Sequence, residues 1–280
     1  MGRDFQEKTL RVGVAGCGKV AEHHARFLSE LPCARLVAVA DRNLDAARDY
    51  AARHRVADTY SSVEDMLNGA KLDVLHVITP PSFHYECARA ALERGVHVFV
   101  EKPVAFTAAE VSDLYELAAR RQVQLCPDFI QLFHPRMQQL LLQLQSGTLG
   151  RVLHVDSYLA FNLTDSPELR ESEGLHWAYR LPGGLLRDYA SHVLYLALYF
   201  AGRPQQVQVS EKSLGSLPQG MVDHLAIQVA GANCTASVLL SSALQSSAYG
   251  LRLTCEKGTA EVNFETQSLV IKQAGALPRR

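Results

Sequence analysis

The feature that most constrains the fold is a regular alternation of strand-like and helical segments in the first half of the chain. Segments of helical pattern separate five short apolar runs, at 11–16, 36–40, 72–79, 96–100 and 123–126. Such alternation predicts an α/β fold with a parallel sheet and right-handed crossovers. Ligands of such sheets bind outside the carboxyl ends of the strands, so the residues that follow each run are candidates for function.

A glycine-rich turn follows the first of these runs. The segment Gly16-Cys17-Gly18-Lys19-Val20-Ala21 fits the pattern G-x-G-x-x-A and opens a predicted helix over 19–31. Gly16 permits a tight turn, Gly18 lets a pyrophosphate approach the backbone, and the helix N-terminus offers free N–H groups to phosphates. This context predicts a dinucleotide site, with Cys17 as a small side chain that faces away from the phosphates.

Asp41, directly after the second run, strengthens that prediction. A carboxylate at this place accepts hydrogen bonds from the ribose hydroxyls of the adenosine. It favours NAD, because it would repel the 2′-phosphate of NADP. Arg42 could instead pair with that phosphate, so NADP stays an alternative. The competing interpretation of Asp41 is a solvated acid near the start of a helix.

Glu101-Lys102-Pro103 follows another run at the same sheet edge. A lysine there can hydrogen-bond a substrate hydroxyl and polarise or protonate it during hydride transfer. The competing interpretation is a lysine that neutralises a helix C-terminus or a nearby acid. Pro103 could adopt the cis form.

A second group of chemical residues follows Gly183-Gly184 in a predicted helix that runs to Phe200. Asp188 and His192 are spaced i, i+4 and so share one face. A carboxylate one turn before an imidazole can orient it and raise its pKa, and histidine can accept a proton from a hydroxyl with help from lysine. The competing interpretation is a surface Asp–His pair.

Three stretches resemble the Gfo/Idh/MocA family, the relatives of glucose-fructose oxidoreductase and inositol dehydrogenase. They are VGVAGCGKVAEHHA, ITPPSFHYECARAALERGVHVFVEKPVA and PGGLLRDYASHVLYLALY. The resemblance implies an N-terminal Rossmann domain and a C-terminal α+β domain with an open-faced, mostly antiparallel mixed sheet. It implies that Lys102 is the catalytic lysine, that His192 is the general base and that Asp188 tunes it. Relatives often carry an acid where this chain has Tyr195, which affects the expected substrate contacts.

The residue patterns and the resemblance together give the residues expected around the ligands. The expected cofactor residues are Gly16, Cys17, Gly18, Lys19, Val20, Asp41, Arg42, Thr79, Pro80, His84, Glu101 and Lys102. Trp177, Arg180 and Tyr195 are candidates for a sugar pocket, with structural packing as the alternative. The substrates that the resemblance implies are sugars, sugar derivatives and cyclic polyols.

The second half of the chain has a different pattern. Clustered strand-like runs there, with a hairpin turn at Lys257-Gly258, predict a separate α+β domain over 128–280, after a Rossmann domain over 1–127. The runs 225–229 and 238–240 are apolar on both faces. One face should pack on helices, and the other is a candidate surface for a homodimer or homotetramer. Burial by the chain's own helices is the alternative.

Composition excludes several classes of function. The net charge is −1, with 28 basic and 29 acidic residues, which does not suit a nucleic-acid binder. No apolar run is long enough to span a membrane, and the first residues lack the pattern of a secretory signal, so the cytoplasm is the expected compartment. Cysteine spacing does not suit zinc, and we expect no metal set. We expect His76 to be a core residue and the following to have no chemical role: His23, His24, His54, His97 and His154.

The sequence therefore predicts an NAD(P)-dependent oxidoreductase. It would transfer a hydride between nicotinamide and a carbinol or ketone of a sugar-like molecule or cyclic polyol, with Lys102 and His192 as acid and base. Two alternatives remain: a non-catalytic regulator that senses dinucleotides on the same scaffold, and an NAD-dependent glycosidase.

Overall fold

A computed structural model describes residues 9–162, 177–217 and 220–273. The chain divides into two compact units, Met1–Asp128 and Phe129–Arg280. The division falls one residue after the boundary expected from the sequence, and it leaves Asp128 with the first unit.

The first unit is a parallel sheet of six strands with the spatial order β3-β2-β1-β4-β5-β6. Its strands are β1 Leu10–Ala15, β2 Ala34–Ala40, β3 Asp58–Tyr60, β4 Val74–Val77, β5 His97–Val100 and β6 Leu125–Pro127. Its helices are α1 Lys19–Glu30, α2 Leu44–His54, α3 Val63–Gly69, α4 His84–Glu93 and α5 Ala108–Arg121. This confirms the predicted Rossmann fold. The strand order reverses between β1 and β4, the place where ligands bind in such sheets.

Local capping explains where several helices begin. The Asn43 side chain accepts hydrogen bonds from the backbone at the start of α2, and Thr107 forms a capping box with Glu110 at the start of α5. Helix α4 begins differently, because the residue before it, Phe83, provides no side-chain cap. Ser82 lies inside a 3₁₀ turn, Pro81–Phe83, and α4 begins directly after it.

Both faces of this sheet are buried. Val12, Val14 and Val39 pack with α1 and α2 in one cluster, whereas Ala15 and Ala38 belong to a second cluster with α4 and α5. Neighbouring residues of a strand point to opposite faces, which explains why these strands are apolar at successive positions.

The second unit is a mixed, mostly antiparallel sheet of seven strands with the order β13-β12-β11-β7-β10-β9-β8, as predicted. Its elements are α6 Pro135–Gln145, β7 Val152–Asn162, α7 Gly184–Ala201, β8 Pro204–Lys212, β9 His224–Gly231, β10 Thr235–Ser241, β11 Ala243–Cys255, β12 Gly258–Asn263 and β13 Ser268–Gln273. Two 3₁₀ helices complete it, Ile130–Phe133 and Trp177–Arg180. Only the pair β7–β10 is parallel among the strand pairs of the described residues.

Helices α6 and α7 cover one face of this sheet. Val238 and Leu240 of β10 are buried in the core beneath them. Leu239, between these two, is 36% exposed and points to the other face. That open face is more polar than the sequence suggested, because His154 lies in hydrogen-bond contact with Thr235, Asp156 and Ser237 across it.

Within the described parts of the chain, helices of the length and hydrophobicity needed to cross a membrane are absent.

Candidate functional site

The glycine turn sits at the carboxyl end of β1, at the point where the strand order reverses. Gly16 has φ of +94°, and an added Cβ would lie 2.6 Å from the backbone oxygen of Ile78. Only glycine fits such a position without strain. Gly18 is different: it caps α1 without a side chain, and an added Cβ would meet nothing within 4 Å. The turn is therefore an open cradle in front of uncapped helix N–H groups, which fits a pyrophosphate.

Asp41 is held against this turn by backbone hydrogen bonds. The Cys17 N–H donates to Asp41 Oδ2 at 2.9 Å, and the Asn43 N–H donates to Oδ1 at 2.8 Å. Each carboxylate oxygen keeps further acceptor capacity, which a ribose hydroxyl could use. The structure thus brings together Asp41 and the glycine turn, which are distant in sequence.

Cys17 has no reactive character in this setting. Its Sγ faces the carbonyl oxygen of Ala40 at 3.9 Å. Burial and the charge of Asp41 raise the pKa of its thiol to about 12, so the thiol stays protonated.

The other residues expected at the cofactor differ in exposure. Lys19, Val20, Arg42 and Pro80 are exposed, and Thr79 is half-buried. The guanidinium of Arg42, the residue after Asp41, lies over the ring of Phe83, 5.1 Å from its centroid. This cation–π contact favours one position of the Arg42 side chain.

His84 has a structural position. It is 1% exposed, with Nδ1 at 2.7 Å from the Pro103 carbonyl oxygen and Nε2 at 2.7 Å from that of Thr79. Burial lowers its pKa. We therefore assign His84 to holding two loops together, instead of to the direct cofactor contact expected from the sequence, because almost none of its surface is accessible.

Lys102 lies after β5 and is half-buried, and its bond to Pro103 is cis, one of the two forms expected for Pro103. Its backbone N–H donates to Glu101 Oε2 at 3.2 Å. The lysine therefore lies at the carboxyl edge of the sheet, on a segment fixed by Glu101 and by the contact between His84 and Pro103.

A cluster of titratable groups that no sequence pattern indicated lies beside Lys102. His24 Nε2 lies 3.4 Å from Glu101 Oε1 and 3.9 Å from Asp128 Oδ2, and its Nδ1 lies 3.2 Å from Nδ1 of His76. The expectation that His24 has no chemical role stays a prediction, but its side chain is 10% exposed and contacts these titratable groups. His24 lies in the second turn of α1, and its ring faces His76 of β4 and the residues that follow β5 and β6. His76 is half-buried, and burial and His24 lower its pKa to about 3.

Asp188 and His192 both lie on α7 in the second unit, one turn apart and half-buried. Aromatic rings surround His192: the Tyr189 ring centroid is 6.1 Å away and that of Tyr249 is 6.4 Å away. The Tyr249 hydroxyl donates to the backbone oxygen of His192 at 3.3 Å. Burial raises the pKa of Tyr249, so it stays protonated as a donor.

Tyr195, one turn further along α7, is fixed by the segment that opens the second unit. Its hydroxyl accepts a hydrogen bond from the Gln131 N–H at 3.1 Å, and its ring stacks on Phe129 at 4.4 Å. Arg180 is exposed at the end of its 3₁₀ helix, whereas the side chain of Trp177 lies outside the described residues.

Sequence reasoning missed Asp128, His24 and Tyr249. Asp128 directly follows β6, so the strand-end rule could have identified it. His24 lies inside a helix, and only the packing of α1 reveals its partners. Tyr249 lies on β11, far in sequence from His192, and no local pattern connects the two.

Comparison with known proteins adds independent information. Residues 10–129 match the model of the oxidoreductase family with an NAD-binding Rossmann fold, and residues 137–261 match the GFO/IDH/MocA C-terminal domain. The chain is 33% identical to D-glucoside 3-dehydrogenase of Escherichia coli (strain K12), over 73% of this chain and 57% of that protein. It is 28% identical to trans-1,2-dihydrobenzene-1,2-diol dehydrogenase of Xenopus tropicalis, over 70% and 58%. The chain thus spans less than two thirds of the length of these two relatives.

Among solved structures, the WlbA dehydrogenase from Bordetella pertussis, in complex with NADH and UDP-GlcNAcA, superposes with a TM-score of 0.84. The identity is 20%, and the match covers 98% of this chain and 79% of that one, which establishes a shared fold. Because family models match both parts of the chain, it belongs to the Gfo/Idh/MocA family of oxidoreductases, with an NAD-binding Rossmann domain over 10–129.

Proposed function

We propose that this protein is an NAD-dependent oxidoreductase that interconverts a carbinol and a ketone on a sugar-like or cyclic polyol substrate. One observation carries the proposal. The glycine cradle with Asp41 and the half-buried Lys102 occupy the carboxyl edge of one parallel sheet, so a nucleotide site and an acid–base group share that edge.

NAD, when bound, supplies the hydride acceptor, and its reduced form supplies the hydride. Gly16 and Gly18 would hold the pyrophosphate, and Asp41 would bind the adenosine ribose. Lys102 would hydrogen-bond the reacting oxygen and exchange a proton with it. His192, oriented by Asp188, would accept or return the proton.

The names of the relatives support the substrate class. A D-glucoside and a dihydrobenzenediol both carry hydroxyl groups on a six-membered ring. The aromatic rings of Tyr189, Tyr195 and Tyr249 near His192 suit the apolar faces of such rings. We therefore extend ring-bearing polyols to this chain as the substrate class to test.

The experiment that tests the function compares Lys102→Ala with Lys71→Ala, a lysine at an exposed position of the same unit. We expect Lys102→Ala to bind NAD as wild type does by calorimetry, and to lose about 10²- to 10⁴-fold in kcat. Lys71→Ala should match wild type in both measurements. Retained turnover in Lys102→Ala would remove the lysine from the acid–base role.

A substrate screen separates the oxidoreductase from the two alternatives. Sugars, sugar nucleotides, inositols and cyclic diols are offered with NAD or NADP while nicotinamide absorbance is followed. NAD binding without turnover of any of them would favour the dinucleotide-sensing regulator. Release of a sugar from a glycoside without net NADH would favour the glycosidase.

Cofactor preference tests Asp41. We expect Asp41→Ala to reduce the preference for NAD over NADP by about 10- to 100-fold, because a charged hydrogen-bond acceptor contributes about 1.5–3 kcal/mol and its charge repels a 2′-phosphate. Initial rates with each cofactor measure the ratio. An unchanged ratio would contradict the role of Asp41.

We also propose that two or four copies assemble through the open face of the second sheet. Two apolar side chains interrupt its polar network, Leu239 at 36% and Val270 at 49% exposure. Apolar groups within a hydrogen-bonding surface are typical of interfaces.

A further inference from the structure

Two carboxyl groups meet in the first unit where charge repulsion should keep them apart. Glu101 follows β5 and Asp128 follows β6, and these strands are parallel neighbours. The backbone fixes both positions, since the Glu101 N–H donates to the Val77 oxygen at 3.0 Å and the Asp128 N–H donates to that of Val100 at 2.8 Å. The two side chains are 17% and 12% exposed, so water screens them little.

One carboxyl oxygen of Glu101, one of Asp128 and a ring nitrogen of His24 all lie within 4.8 Å of one another. Two ionised carboxylates only accept hydrogen bonds and repel each other at this range, whereas a proton on one of them lets that group donate to the other. Burial and the neighbouring Glu101 raise the pKa of Asp128. Burial alone would raise the pKa of Glu101 as well, but contact with His24 and with a protonated Asp128 outweighs burial and lowers it. The proton therefore resides mainly on Asp128.

The groups that face this pair come from every element packed around it. They are His24 on α1, His76 on β4, His84 on α4, Lys102 after β5 and Cys126 on β6. The charge of Lys102 acts on both carboxyl groups. Burial and His24 lower the pKa of His76, so His76 is neutral, and the cations available to the pair are Lys102 and, when protonated, His24 and His84.

We propose that Glu101 and Asp128 share a single proton and serve as the proton store of Lys102. This inference rests on the proposed function of Lys102. When Lys102 gives a proton to the oxygen of a ketone that is being reduced, an O–H bond of the pair breaks and a new N–H bond forms on Lys102. The pair is then doubly negative until solvent returns a proton. In the oxidation of a carbinol, the same transfers run in reverse.

The charge balance explains why this place suits a proton store. The pair with its proton carries one negative charge beside the positive charge of Lys102. Loss of the proton adds a second negative charge in a poorly screened site, which favours rapid return of a proton. His24, in contact with both carboxyl groups, is the positioning residue of the pair.

Infrared spectroscopy tests the shared proton without any substrate. The C=O stretch of a protonated carboxyl group is followed by difference spectra between about pH 5 and about pH 9, a range in which ordinary carboxyl groups are ionised. Wild type should show a protonated carboxyl that ionises within this range. Asp128→Asn should lack this band, whereas Asp45→Asn, whose aspartate side chain is 86% exposed, should retain it. The side-chain amide that Asp128→Asn introduces can still donate to Glu101, so we expect the variant to fold.

Kinetics tests the link to Lys102. We expect Asp128→Asn to lower kcat about 10- to 100-fold, to leave KM within about twofold, and to remove one ionisation from the pH profile of kcat. A purely structural role would not remove an ionisation while KM is kept.

The outcomes separate this inference from the proposed function. Dehydrogenase activity without a protonated carboxyl band, or a band that persists in Asp128→Asn, would overturn the proton store and leave the function standing. The band without activity on any substrate would overturn the function and, with it, the role of the pair toward Lys102. A divalent metal found by elemental analysis in wild type and lost in Asp128→Asn would also overturn the shared proton.

Discussion

The two sheets of this protein are covered in different ways. In the first unit, helices bury both faces of a parallel sheet, and Val14 and Ala38, on opposite faces, are 0% exposed. In the second unit, helices bury one face, and the other carries a polar network centred on His154. A sheet covered on both faces leaves only its ends for polar groups, whereas a sheet covered on one face can carry them along its whole surface.

This difference decides where chemistry can lie. In the first unit, Asp41, Glu101 and Asp128 directly follow strands, and Lys102 comes next after Glu101. In the second unit, Asp188 and His192 lie on a helix, and their aromatic surroundings come from separate elements. A buried parallel sheet thus concentrates function at one edge, and a half-open sheet does not.

Two neighbouring leucines of β10 give the strongest test of this contrast. Leu240 is fully buried, and Leu239 is 36% exposed. We expect Leu240→Ala to lower the free energy of unfolding by about 2–5 kcal/mol through lost packing and a cavity, and Leu239→Ala by about 1 kcal/mol or less. Denaturant titration measures both. Equal losses would mean that the two faces are equally covered, which would contradict a sheet with one open face.

Much of the first unit could be predicted from sequence because its signals are local. Its strands are short and apolar at successive positions, and the glycine turn and Asp41 are local signals that need no long-range information. The sequence also predicts that Leu239 faces the opposite side of the sheet from Val238 and Leu240, because successive residues of a strand alternate between its two faces. The polarity of the open face was misjudged, because the register that gathers His154, Asp156 and Ser237 into one network depends on pairing between distant strands.

The two glycines of the turn test whether the carboxyl edge of the first sheet is an open binding site. Gly16→Ala forces a positive φ on an alanine and places its Cβ against the Ile78 backbone, so we expect a loss of about 2–3 kcal/mol in unfolding free energy. Gly18→Ala meets open space, so stability should stay within about 0.5 kcal/mol while NAD affinity falls about tenfold or more. Thermal unfolding and calorimetry with NAD separate the two effects. Equal destabilisation by both variants would contradict the open cradle.

The candidate site was less predictable than the fold. Asp128 and His24 are of interest because they contact each other. No spacing in the sequence connects the second turn of α1 with the end of β6. The same is true of Tyr249, which reaches the backbone of His192 from a different strand. Sequence patterns report neighbours along one element, whereas these groups meet only through tertiary packing.

The pH dependence of stability tests whether His76 on β4 is shielded from water. The unfolded chain protonates this histidine near its ordinary pKa of 6.5, whereas the folded protein keeps it neutral down to about pH 3. Between these values the unfolded state binds more protons, so wild type loses stability as the pH falls. We expect His76→Gln to remove about 2 kcal/mol of that loss between pH 7 and pH 5. The control is His154→Gln, on the open face of the other sheet. An identical pH dependence in His76→Gln and wild type would place His76 in contact with water.

The last prediction concerns the open face, where we expect only a small change in stability. We expect Leu239→Asp to change the unfolding free energy by about 1 kcal/mol or less, because its side chain lies outside the core. Its effect on assembly should be large, since a charge in an apolar contact cannot be desolvated without a partner. Light scattering after size-exclusion chromatography should show an oligomer for wild type and a smaller species for Leu239→Asp. Val209→Asp is the matched comparison, because Val209 is 54% exposed on the edge strand β8 and pairs with the buried Ile227, which places it on the helix-covered face. If Val209→Asp dissociates the oligomer and Leu239→Asp does not, the interface uses the sheet edge, and the open face remains in contact with solvent.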